Sequence, residues 1–188
     1  MRKPNDTARG AEATEAAIGA RATVRAAELG CEERLGGRRD DHELRGVLRA
    51  FVREIETEPI DSRRAMLEAA AVEALVLDLP AATLARAERV LRDLDPDDAS
   101  ELRRLADVRM PSVPSNTDPE HVRYLDGVCR RQQHEASPAR DVLELVGLVK
   151  IDPSFSRGLY GLPLLLTPRG ALALELLNGW VASAERAS

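Results

Sequence analysis

Residues 137–177 restrict the fold more than any other part of the chain, because they spell a short helix, two short strands about a turn, and a long helix, in that order. Ser137 followed by Pro138 places an N-cap residue before proline at the first helical position, and Val142, Leu143 and Val146 then fall on one helical face. Gly147 can take the left-handed conformation that ends a helix. Residues 148–152 and 159–166 are apolar runs around the turn-forming segment 153–158. Thr167-Pro168 then repeats the cap signal before a final amphipathic helix.

Composition limits what can stand in front of this module. The apolar fraction is 44%, but aromatic residues make up only 3%. The interior must therefore be built from Leu, Val, Ile and Ala, which suits closely packed helices. The periodicity agrees. Asp40 and Glu43 stand at capping-box spacing ahead of Leu44, Val47, Leu48, Phe51, Val52 and Ile55. Asp61 can cap a second helix through Met66, Leu67, Ala70, Ala74, Leu75 and Leu77, ending at Pro80. Thr83 can open a third, with Leu84, Ala87, Val90, Leu91 and Leu94 as its stripe, closed by Asp95-Pro96. Asp98 with Glu101 forms another capping box before Leu102, Leu105 and Val108.

Outside these helices the signal weakens. Residues 1–38 are rich in Ala, Glu and Arg, with Ile18, Val24 and Leu29 as large aliphatics, so they are expected to bury little and to form a mobile leader. Gly30, Gly36 and Gly37 make the run up to Asp41 read as a loop. Residues 110–119 hold three prolines and no periodicity and read as a linker. Beyond them a helix to about residue 135 carries Val122, Leu125, Val128 and Cys129 on one side.

Charge and cysteine usage exclude several function classes. The net charge is −5 and the pI near 5.4, so the whole chain lacks the basic footprint of an electrostatic nucleic-acid wrapper. Of 27 basic residues only Lys3 and Lys150 are lysine. Guanidinium forks suit phosphate and carboxylate, but the arginines are scattered, and the accompanying alanine points to codon bias in a GC-rich genome. Cys31 and Cys129 are far apart and lack ligand spacing to histidine, which signals neither a disulfide framework nor a zinc site. The opening residues MRKPNDTARG lack the apolar core of a signal peptide, and no run approaches the ~20 residues of a membrane span. The expectation is a soluble cytoplasmic protein without membrane contact.

Catalytic constellations are scarce. His42, His121 and His134 each adjoin an acid, but sequence neighbours on a helix point in different directions and make no dyad. The phosphate-loop, GxSxG, HExxH and GxGxxG patterns are all missing. The cluster Asp93, Asp95, Asp97 and Asp98 lacks the alternation, glycine and terminal Glu of a calcium loop and reads as a helix boundary. No catalytic residue, cofactor or metal is assigned, and the protein is read as a non-enzyme.

Two resemblances follow from these residues. The segment LELVGLVKID, turn, GLYGLPLLLTPRGALALELL resembles the end of winged-helix regulators of the MarR and PadR sort, most closely at Gly147-Leu148-Val149 and at residues 166–170. The Ser, Thr and Arg readers usual upstream in those regulators are missing. The resemblance implies that the helix from Ser137 occupies the recognition position and that residues 153–158 form the wing. It makes Arg130, Arg131, Ser137, Arg140 and Arg157 the DNA-facing candidates. A looser similarity joins VLRDLDPDDASELRRLADVRMPSVP, LELVGLV and LTPRG to the Abi-alpha family associated with phage abortive infection, with Leu94, Pro96, Asp97, Asp98, Ala99, Leu102, Leu105 and Ala106 at its characteristic step. It implies a defence-related role through protein contacts, with no catalytic residue.

The expected fold is therefore mostly α: a leader over 1–38, a helical bundle over 40–109, a linker over 110–119, and a winged-helix-like module with a small β-hairpin over 120–188. Two uses of that module remain open. One is DNA reading, against which stand Asp141 and Glu144 beside the single base Arg140, and eight basic against nine acidic residues over 111–188. The other is packing or protein interaction, as a homodimer or with a protein partner. In that case Leu172, Leu176 and Trp180 form one apolar face of the last helix as the interface.

Overall fold

The structure, a computed structural model, is described for residues 4–107, 138–151 and 164–187. It is mostly helical, with one small antiparallel strand pair. Two compact units are present: α1 to Pro96 together with the last helix from Leu172, and residues 97–171.

The centre of the first unit is α4 (Asp61–Val76), in which every residue from 69 to 76 is buried. The second half of α4 is thus an interior segment, and its alanines at 69, 70, 71 and 74 allow neighbours to approach closely. The amphipathic α3 (His42–Thr57) packs on it with Leu44, Val47, Leu48, Phe51, Val52 and Ile55, the six residues its periodicity singles out, all buried. α5 (Ala81–Leu91) packs on α3 through Leu84, Ala87 and Leu91. The cap of α3 lies one residue later than the sequence spacing suggests. The Asp41 carboxylate accepts the Glu43 and Leu44 N–H groups at 2.8 and 3.2 Å, while Asp40 closes the preceding helix.

The N-terminal region is where expectation gives way. Residues 4–29 form α1 (Pro4–Leu29), which packs on α4 and α3 and buries Ile18, Ala22 and Ala26. Small side chains meeting the alanine-rich face of α4 bury a helix without a conspicuous hydrophobic stripe. Cross-helix polar contacts add to this. Thr14 donates to Glu56 on α3, Arg21 meets Glu68 at 2.8 Å, and the Arg25 Nε–H donates to Glu73 at 2.8 Å. The loop expected before Asp41 is likewise mostly helical. Gly30, at φ 65°, ends α1, with the Gly30 and Cys31 N–H groups bonded to the Ala27 and Ala26 carbonyls, and α2 (Glu32–Arg39) starts immediately. Gly36 and Gly37 are tolerated inside α2 because Leu35 is buried and Arg38 is anchored on both sides of its guanidinium.

Arg38 settles a problem that the burial of α4 creates. The last carbonyls of a helix have no intrahelical donor, and those of α4 lie in the interior. The Arg38 Nη2, Nε and Nη1 donate to the Ala74, Leu75 and Leu79 carbonyl oxygens, each at 3.1 Å. Its charge also sits at the negative end of the α4 dipole. Arg63 does similar work at the other end of α4: its Nε donates to the Leu94 carbonyl at 3.0 Å, and its Nη groups reach the buried Glu58 and the Arg92 carbonyl. Other helix starts expected from capping residues use different means. Asp61 is the first helical residue, with Ile60 at the cap position and no side-chain cap, and α5 begins at Ala81 after Pro80, not at Thr83.

In the second unit α6 (Pro96–Asp107) opens at Pro96, so Asp98 and Glu101 lie inside it and do not form a capping box. Glu101 is instead gripped by Arg104 through both carboxylate oxygens, at 2.7 Å each. The linker over 110–119 and the helix proposed to end near residue 135 lie outside the described residues.

Two outcomes test this account. Arg38→Ala is expected to lower the urea unfolding free energy by about 2–3 kcal/mol, with little restored by Arg38→Lys, because an ammonium cannot span three acceptors fixed in a fork. Burial raises the Glu73 pKa above its ordinary value against the opposing pull of Arg25. A raised folded-state value stabilises the fold most below the ordinary carboxylate pKa, and that contribution is lost as pH rises through the raised value. Glu73→Gln is accordingly expected to flatten the dependence of unfolding free energy on pH between those two values.

Candidate interaction surface of the C-terminal module

The second unit carries the elements that residues 137–171 encode. α7 (Pro138–Leu145) stops at Gly147, whose φ is 74°. The Gly147 N–H bonds the Glu144 carbonyl at 3.0 Å and the Leu148 N–H bonds the Leu143 carbonyl at 2.9 Å, a paired arrangement that requires a residue free of a Cβ penalty at 147. β1 (Val149–Ile151) then pairs antiparallel with β2 (Leu164–Leu166), with Val149 opposite Leu166 and Ile151 opposite Leu164.

One threonine ties the three elements together. The Thr167 hydroxyl donates to the Gly147 carbonyl oxygen at 2.7 Å and accepts the Gly170 N–H at 3.1 Å, so it closes the end of α7 and caps α8 (Pro168–Ala187) at once. The Thr167 N–H bonds the Leu148 carbonyl at 2.9 Å. Pro168 fits the first helical position, where its missing N–H costs nothing. Gly170 is buried beneath this junction, and a Cβ there would stand 2.0 Å from the Leu148 carbonyl oxygen and 2.8 Å from the Leu166 side chain. The Thr-Pro-x-Gly letters are thus a close packing of helix start on helix end.

The geometry divides α7 into two faces. Leu143 is fully buried, Val142 and Val146 are half-buried, and Asp141 and Glu144 are exposed. Leu145 is 86% exposed, the most exposed large apolar side chain among the described residues. Leu143 and Leu145 are two residues apart, so burying one on an α-helix turns the other outward. The outward Leu145 was legible in principle from that spacing, although attention to the Val142, Leu143 and Val146 stripe conceals it. Lys150 on β1 and Arg169 in the first turn of α8 are exposed.

Of the sequence candidates for DNA contact, Arg130, Arg131, Ser137 and Arg157 lie outside the described residues. Arg140 is on α7, its side chain also outside them. On α8, Leu176 is buried in the single chain while Leu172 and Trp180 are half-buried, and all three belong with the first unit. Further along α8, Gly179 faces α4, where an added Cβ would meet the Glu73 carboxylate at 2.9 Å. Among the described residues no group of three or more His, Cys, Asp or Glu side chains converges as a metal site, and no helix is long and apolar enough to cross a membrane. His42 is exposed at the start of α3, and Cys31 is a half-buried free thiol.

Compared with protein-family models, curated proteins and solved structures, the chain matches none.

Gly170→Ala is expected to disrupt the junction, because the blocking atom is backbone and cannot swing aside. Accelerated hydrogen exchange at the Thr167 and Gly170 amides, with the amides of α3 unchanged, is the checking measurement.

Proposed function

We propose that this chain is a non-enzymatic regulatory or interaction protein whose C-terminal module is winged-helix-like and meets a protein partner through the outward face of α7. The observation that carries the reading is the exposed Leu145 beside exposed Asp141 and Glu144. Leu145 offers a partner an apolar anchor on an ordered helix, and two flanking acids oppose the approach of phosphates. Helix, tight glycine stop, strand pair and capped helix, in that order, support the winged-helix likeness. The partner is a second copy of the chain or another protein. The similarity to abortive-infection proteins agrees with a role played through protein contacts.

DNA reading by the same helix is the competing use, and a gel-shift with genomic fragments at two salt concentrations separates them. No retarded band is expected even at low salt. A band that forms at low salt and weakens as salt rises overturns the protein-facing reading, since counterion release would then drive binding. Leu145→Glu is expected to change folding stability by less than about 0.5 kcal/mol, because the side chain makes no core contact to lose. Urea unfolding checks this, and a larger loss would place Leu145 in the packing of the module.

A further inference from the structure

The first unit holds a surface feature that the proposed use of α7 does not employ. Between α1 and α3 runs a groove of about 420 Å³, with Leu44, Leu48 and Leu75 as its floor and Gly19 and Ala20 on the α1 wall. The floor leucines are buried, whereas Ala20 and Arg45 on the walls are exposed, so the groove is open along one side. Small-molecule sites enclose most of their ligand, and an open trough suits the one-sided seating of a helix.

Charge around the groove is not neutral. Arg45, Arg49 and Arg53 are exposed at i, i+4 and i+8, a line along α3 with a rise of about 6 Å between successive members. The Arg49 and Arg53 guanidiniums make no ion pair or hydrogen bond among the described residues, and Arg45 spends a single Nη2–H on the Asp40 carbonyl at 3.2 Å. Most other well-placed guanidiniums of this unit are engaged: Arg25, Arg38, Arg63 and Arg92 all hold carboxylates or carbonyls. An unengaged basic line on a chain of net charge −5 stands out against that pattern. The α1 wall carries the opposite sign at Glu15.

We propose that this groove is a docking site for an acidic amphipathic helix of a partner protein. An apolar side chain of the helix enters the groove over Leu44, Leu48 and Leu75, and carboxylates at four-residue spacing face Arg45 and Arg49 along the rim. The spacing is the reason for a helix: acids four apart on a helix repeat at the same ~6 Å interval as the arginines of α3. Glu15 sets the direction, since the flank of the incoming helix that faces α1 must be neutral or basic. The groove draws no residue from α7, so either proposal can fail alone.

The test titrates the full chain into a fluorescein-labelled 18-residue designed helix with leucines on one stripe and Glu at three i, i+4, i+8 positions on one flank, read by anisotropy. A second peptide carries Gln in place of those Glu residues. The Glu peptide is expected to bind about tenfold more tightly than the Gln peptide at low ionic strength, the size that two or three exposed ion pairs can provide. Raising salt to about 0.5 M should close that gap. Arg45→Glu with Arg49→Glu should remove the preference, and Ala20→Trp, which fills the groove from an exposed wall position, should weaken both peptides. Circular dichroism and urea unfolding verify that these exposed substitutions leave the fold intact. Equal binding of the two peptides, no binding of either, or an unchanged preference in the double arginine variant overturns the proposal. So does a wild-type dimer in sedimentation that Ala20→Trp dissociates, because the occupant would then be a second copy.

Discussion

A helix whose second half has no solvent-facing side imposes the main constraint on this molecule. Once residues 69–76 of α4 are all buried, every polar group they carry must be answered from within. Two arginines from the N-terminal region answer them. Arg25 pairs with the buried Glu73, and Arg38 takes the carbonyls at the α4 terminus. Removing Arg25 would leave the buried Glu73 carboxylate without its partner. Helices α1 and α2 are therefore held to the bundle by polar contacts as well as by apolar burial.

The same logic places several of the arginines. Glu58, Glu73, Glu88 and Glu101 are buried, and each is met by an arginine: Arg63, Arg25, Arg92 and Arg104. A planar fork can hold a carboxylate and nearby carbonyls together, as Arg63 does, where a lysine ammonium is a compact point charge. Codon bias can supply arginines, but it does not place them opposite buried acids. Against this background the unengaged line on α3 becomes visible as a separate feature, which composition alone could not reveal.

Legibility in the sequence tracked how local each interaction is. The buried face of α3 was legible residue by residue because six large side chains recur at helical spacing, although its cap was displaced by one residue. The stop at Gly147 and the cap at Thr167 were legible because such signals act within a few residues, and the strand pair followed from the apolar runs between them. α1 was not legible: Ala22 and Ala26 are poor hydrophobic signals, and their burial depends on the alanines that α4 presents to them. α2 was obscured by Gly36 and Gly37, whose unfavourable helix propensity is outweighed by the burial of Leu35 and the grip of Arg38. At the candidate site the letters of residues 166–170 marked a cap, but not that Gly170 sits where no side chain fits.

The sequence by itself determined the helical class, the boundaries at Gly147 and at Thr167-Pro168, and the apolar faces of α3, α4 and α5. Each of these rests on a preference expressed within one or two turns of chain. The tertiary structure alone decided that α1 belongs to the core and that scattered arginines become clamps on buried acids and helix ends. It also decided that Leu145 and the α3 arginines are left outside. Those outcomes depend on which faces meet at long sequence separation, where a carboxylate is buried or free only through what packs around it.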